Sequence, residues 1–118
     1  MVEALLQKVL NSPEKEKIGM VLTHVGVVRG YSRQGPRVKS VKIKVNQEAL
    51  QEILEKARQR PGIVDVEVKI NEGELKVGDI VMVLMVAGDF RENVIQTLTE
   101  TLNAIKARVT SKEEVMEE

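Results

Sequence analysis

Seven consecutive apolar residues, Ile80-Val81-Met82-Val83-Leu84-Met85-Val86, follow a Gly78-Asp79 turn and constrain this chain more than any other stretch. A strand alternates its side chains between two faces, so a run with no polar member has to be covered on both sides. The run is too short to span a bilayer, which needs roughly 20 apolar residues. It predicts the central strand of a sheet with other elements packed above and below. At 118 residues the chain has one-domain length, and folding at that size hides roughly two-thirds of the unfolded surface.

The other elements follow from period and punctuation. Ile18 to Val28 is apolar and β-branched, and predicts a buried strand carrying Val25, Val27 and Val28. Val38 to Val45 alternates, with Val41, Ile43 and Val45 on one face and Lys42 and Lys44 on the other. Ile63 to Asn71 alternates Val64, Val66, Val68 and Ile70 against Asp65, Glu67 and Lys69, which predicts one wet face. Asn46 caps a helix from Gln47 to Arg60 with the stripe Leu50, Ile53, Leu54 and Ala57, and Pro61-Gly62 stops it.

Asp89 and Glu92 have capping-box spacing at the head of a second long helix, whose stripe is Val94, Ile95, Leu98, Leu102, Ile105 and Val109. Leu5, Leu6, Val9 and Leu10, then Ser12-Pro13, make residues 1–17 an N-terminal helical segment. Asn71 to Asp79 reads as a glycine-punctuated connection, and 112–118 as an acidic tail expected to fray. This order predicts a single α+β domain over 1–118, with a mixed or antiparallel sheet and two main helices.

Formal net charge is zero, yet the charges are sorted. Between Lys17 and Gln47 lie seven basic residues, Lys17, Arg29, Arg33, Arg37, Lys39, Lys42 and Lys44, and no acid. Tyr31-Ser32-Arg33-Gln34-Gly35-Pro36-Arg37 is a loop by composition and rich in donors, so the region is expected to attract anions. Lys42 and Lys44 also fit a second role, as solvated lysines that discourage pairing between sheets. Arg91 lies in the first turn of the last helix, where free N–H groups favour an anion. With Arg29 it would clamp a phosphate.

Several chemistries drop out. There is no cysteine and only one histidine, so disulfides, thiolate sites and an all-protein zinc site are not expected, and no metal or cofactor is called for. No Gly-x-Ser-x-Gly or phosphate-loop motif occurs. His24 stands among apolar strand residues and reads as a packed core or edge side chain. The start, MVEALLQKVL, lacks a basic region and a cleavage site, so a cytoplasmic protein with no membrane attachment is expected.

Gly19, Val25-Gly26-Val27-Val28-Arg29, the run Gly73-Glu74-Leu75-Lys76-Val77-Gly78-Asp79 before an apolar strand, and Arg91 opening a helix that ends in Lys106 resemble the large, catalytic subunit of molybdopterin synthase. The resemblance runs from about Ile18 to Lys112. It implies an α/β-hammerhead-like domain that dimerises. It also implies a ubiquitin-like small subunit as partner, whose C-terminal thiocarboxylate supplies sulfur to a cyclic phosphate pterin precursor. By the same resemblance Arg29 and Arg91 bind substrate and Lys112 holds a catalytic-lysine position, while Arg33 and Arg37 of the basic loop are further candidate substrate-binding residues.

The departures fall at the family's site. Phe90 stands where a histidine is usual, Ile70-Asn71 where a His-Arg pair is usual, and His24 where phenylalanine is usual. Val109-Thr110-Ser111-Lys112-Glu113-Glu114 replaces a proline, apolar, tryptophan, lysine, basic, glutamate signature and keeps only Lys112 and Glu114. The resemblance puts a second functional lysine beyond Glu118. Carboxylates beside Lys112 and a fraying tail around it lead to an expectation of weak or absent sulfur transfer. The rival reading is a non-enzymatic dimeric binding module whose basic loop, Arg29 to Lys44, contacts nucleic acid or an acidic partner. With Tyr31 and Phe90 the only aromatics, base stacking is disfavoured and backbone contact would be the mode.

Overall fold

In the computed structural model, which describes residues 1–117, the apolar run becomes strand β5, Ile80–Gly88. It lies between β1, Met20–Val27, and β3, Ile63–Ile70, and pairs antiparallel with both. Met82, Leu84 and Val86 point to helices α2, Gln47–Arg58, and α3, Arg91–Arg108. Val83, Met85 and Ala87 point the other way, to helix α1, Val2–Leu10. Residues Val83 to Ala87 are fully buried, as two-sided cover demands.

Asn46 accepts a hydrogen bond from the Ala49 N–H at 3.1 Å, which starts α2 where expected. The stripe Leu50, Ile53, Leu54 and Ala57 is buried. The helix ends two residues earlier than expected, and Gly62 (φ +79) takes the left-handed turn that follows. At the head of α3 the capping box does not form. Phe90 is the N-cap residue, and Asp89 Oδ1 instead accepts from the Phe90 N–H and from Asn93 Nδ2 at 2.9 Å. The Asn93 bond, then the Phe90 bond, hold the Asp89 carboxyl below the usual carboxylate range. The buried row of α3 is Val94, Thr97, Thr101 and Ile105, while Leu98 and Leu102 are partly buried. Ile95, about 100° round the helix from Val94, is 49 % exposed.

A second antiparallel sheet has the order β4-β2-β6, built from β4, Gly73–Lys76, β2, Val38–Val45, and β6, Thr110–Met116. Two of its strands depart from expectation. The glycine-punctuated connection contains β4, and the acidic tail is an ordered strand through Met116 instead of a frayed end. Glu118 lies outside the described residues. The reason is long-range pairing: Lys42 of β2 has Glu74 across from it on one side and Glu113 on the other. Opposite charges facing across strands contribute roughly 0.2–1 kcal/mol each. Acids that look like a solvated tail in isolation are the complement of a lysine face. The one expected sheet is thus two, stacked along a body 52 Å long.

Two further differences concern faces. Val25 and Val27 are exposed, because β1 is an edge strand, and of that trio only Val28 is buried. The face of β3 expected to be wet is partly covered by α1, which buries Glu67 and leaves Lys69 exposed. Glu67 is buried and accepts from Lys8 Nζ at 2.9 Å and Arg58 Nη2 at 3.3 Å, and Asp65 lies 3.4 Å from Arg58 Nε. Burial, then the neighbouring Glu67, pushes the Asp65 carboxyl up.

Leu84→Ala is expected to lower unfolding free energy by about 2–5 kcal/mol, and Ile95→Ala to change it by less than about 0.5 kcal/mol, both measured by urea denaturation. Asp65 gives a pH test. Its folded carboxyl is raised above the ordinary 3.8, so its charge opposes folding at neutral pH, and that opposition vanishes as pH falls below the unfolded value. Asp65→Asn should therefore be more stable than wild type at pH 7 and match it near pH 3.

Candidate functional site

Where the end of the first sheet meets the second, a cleft of about 500 Å³ opens. That volume suits a small organic ligand. Its floor is apolar, from Val41 and Ile43 of β2 and Val81 and Met82 of β5. Its walls are charged. Arg29 and Arg33 come from the connection after β1, Lys106 from the last turn of α3, and Lys112 from β6. His24 and Glu114 complete the lining. Four cations against one carboxylate, over a floor of low polarizability, concentrate a positive field in the opening.

Local structure explains which arginines arrive. Val28 N–H donates to the Asp79 carbonyl and Gly78 N–H to the Val28 carbonyl, both at 2.9 Å, which fixes the strand end that carries Arg29. The loop tip is closed by Ser32 N–H to the Pro36 carbonyl at 2.8 Å and Gly35 N–H to the Ser32 carbonyl at 3.0 Å. Arg33, inside that tip, lines the cleft. Arg37 does not line it. Its Nη2 donates to Tyr31 Oη at 3.1 Å and its guanidinium lies 5.3 Å from the ring centroid, so it closes the base of the loop.

Lys112 faces the cleft from an ordered strand, half exposed, with Nζ 3.8 Å from Glu114 Oε2. Arg91 is elsewhere. It sits at the opposite end of α3 from Lys106, about 22 Å away by helix rise, 80 % exposed and 3.4 Å from Glu92. One chain does not bring Arg29 and Arg91 together.

Three lining residues were not assigned a role from sequence. Lys106 was noted only as the end of a helix, and the usable signal is that it continues the partly buried Leu98, Leu102 row at four-residue spacing. His24, expected as a core or edge side chain, is on the edge strand and opens onto the cleft, and burial followed by the Lys106 charge pushes its imidazole below the usual 6.5. Glu114 was hidden by the expectation of a frayed tail. Among the described residues no group of three or more acids and histidines is arranged to hold a metal, and no helix is long and apolar enough to cross a membrane.

Two antiparallel sheets flanked by α2 and α3, with a basic cleft at their junction, define a chain of the molybdopterin synthase large-subunit fold. Molybdopterin synthase from Staphylococcus aureus is similar at TM-score 0.78 and 19% identity, over 96% of this chain and 85% of that one. Molybdopterin cofactor biosynthesis protein E from Burkholderia multivorans is similar at TM-score 0.77 and 23% identity, over 99% and 82%. A complex of subunits 1 and 2 of molybdopterin-converting factor from Helicobacter pylori contains a chain similar at TM-score 0.74 and 15% identity, over 98% and 78%. The chain belongs to the MoaE protein family, whose model matches residues 2–108. A search of curated proteins finds no match.

The placement of the arginines is testable with sulfate. A charge-assisted hydrogen bond contributes about 1.5–3 kcal/mol, so Arg29→Ala and Arg33→Ala should each weaken sulfate binding by roughly tenfold or more in calorimetry. Arg37→Ala should leave it within about twofold. Equal losses at all three positions would contradict the cleft.

Proposed function

We propose that this chain acts in molybdenum-cofactor biosynthesis, in the cytoplasm, as the large subunit of a molybdopterin synthase. In this reading the cleft holds the cyclic phosphate of a pterin precursor. A ubiquitin-like small subunit presents its C-terminal thiocarboxylate there and passes on the sulfur. The single observation that carries the reading is the convergence of Arg29, Arg33, Lys106 and Lys112 on one apolar-floored cleft. Membership of the MoaE family supports the pathway, and the two-subunit complex from H. pylori supports a small-subunit partner.

Arg29 and Arg33 hold phosphate and pterin oxygens through charge-assisted hydrogen bonds. Lys106 and Lys112, on the α3 and β6 side, meet the thiocarboxylate, and Lys112 assists the transfer. Order in β6 removes one of the two reasons for expecting weak turnover. The other stays, since Glu114 competes for Lys112 at 3.8 Å. Turnover is therefore slow and precursor binding intact.

The chain works as a homodimer in this account. Arg91, about 22 Å along α3 from Lys106 of its own cleft, reaches substrate only from a second copy. The binding-module reading is weaker. Arg37 is engaged with Tyr31, Lys42 lies between Glu74 and Glu113, and Arg29 and Arg33 line a concave cleft instead of a surface that could follow a nucleic-acid backbone.

Reconstitution with a thiocarboxylated small subunit and the cyclic phosphate pterin tests this directly. Slow formation of molybdopterin, abolished by Lys112→Ala, is expected. Arg29→Ala and Arg91→Ala chains should each fail alone and recover part of the binding when mixed, because a mixed dimer rebuilds one intact site. No recovery on mixing, or a light-scattering mass of one chain at micromolar concentration, would refute the shared site. Duplex binding that falls steeply with salt and depends on Arg33, Arg37 and Lys39 would favour the rival.

A further inference from the structure

We propose that His24 is a ligand of the bound anion, and that the anion enters the cleft together with one proton taken up by this imidazole. The inference rests on the anion-binding reading of the cleft and assigns a role to the chain's one histidine. His24 lies on β1 two residues before Gly26, and both line the opening. A methyl group at Gly26 would stand 3.4 Å from His24 Nε2, so glycine there keeps the wall beside the ring low.

The surroundings decide the sign. Lys106 from α3 is the charge that acts on His24, and the cleft also holds Arg29 and Arg33 from the connection after β1 and Lys112 and Glu114 from β6. From β5 and β2 come only Val81, Met82, Val41 and Ile43, none of which titrates. With the cleft empty, burial and the Lys106 charge both disfavour imidazolium. A bound anion reverses this. It offsets the field of Lys106 and accepts an N–H, and imidazolium offers two donors where neutral imidazole offers one. The folded-state pKa is then low without anion and higher with it. Between the two values, binding takes up a proton, and affinity falls as pH rises, by at most tenfold per pH unit for one proton.

The residue sits alone in its class, so its imidazole Hε1 resonance titrates without overlap from another histidine. Sulfate is a suitable probe because it stays dianionic across the range. The experiment follows Hε1 from pH 4.5 to 8 with and without saturating sulfate, and measures sulfate affinity by calorimetry at pH 5.5 and 7.5. The expected free-protein midpoint lies below 6.5, moves up by about one unit or more with sulfate, and moves up in sulfate-free Lys106→Ala. Affinity should drop several-fold between the two pH values in wild type and stay flat in His24→Phe and His24→Gln. Sulfate binding with an unmoved Hε1 midpoint would overturn the role of His24 while leaving the cleft in place. No sulfate binding at either pH would overturn the cleft and this inference together.

Discussion

Burial of β5 on both faces is the constraint on which the rest depends. Five successive residues, Val83 to Ala87, have no exposed surface, and a side chain of that size contributes roughly 1.5–3 kcal/mol when fully removed from water. Neither face can be left open. One face recruits α2 and α3, and the other recruits α1. Covering the second face also buries Glu67 of β3, which is tolerable only because Lys8 and Arg58 reach it. The same packing places the last turn of α3 beside the end of β1. Lys106, His24 and Arg29 meet as a consequence of how the core closes.

The charge distribution follows a similar logic in the second sheet. Lys42 of β2 has Glu74 and Glu113 across from it in the adjacent strands, and neither it nor Lys39 or Lys44 lines the cleft. At the sheet junction four cations, Arg29, Arg33, Lys106 and Lys112, share one opening. Glu114 is the one carboxylate among them, and it engages Lys112. A positive field therefore survives at the cleft in a chain whose formal charge is zero.

Much of this was legible in sequence because it is local. The alternation of Val38 to Val45, the Asn46 cap and the unbroken run of β5 are each set by residues a few positions apart. The parts that were not legible are non-local. β4 and β6 have few apolar residues, and what makes them strands is β2 between them. Lys106 carries no motif of its own, and its importance arises only when α3 docks against β1. Arg29 and Arg91 look alike in sequence, basic residues at the ends of elements that precede or open a helix or loop, yet the length of α3 separates them. Ile95 shows the same limit in the apolar pattern, since a position that fits a helical stripe is left half exposed by the way α3 is rotated.

The central claim is that the junction cleft, and not the head of α3 or the basic loop, receives the phosphate. A crystal structure of the protein with the cyclic phosphate pterin bound tests it most directly. The account predicts a phosphate within hydrogen-bonding distance of Arg29 and Arg33, over the floor of Val41, Ile43 and Met82. A phosphate held on Arg37 and Lys39, or at the N-terminus of α3 with the cleft empty, would contradict it.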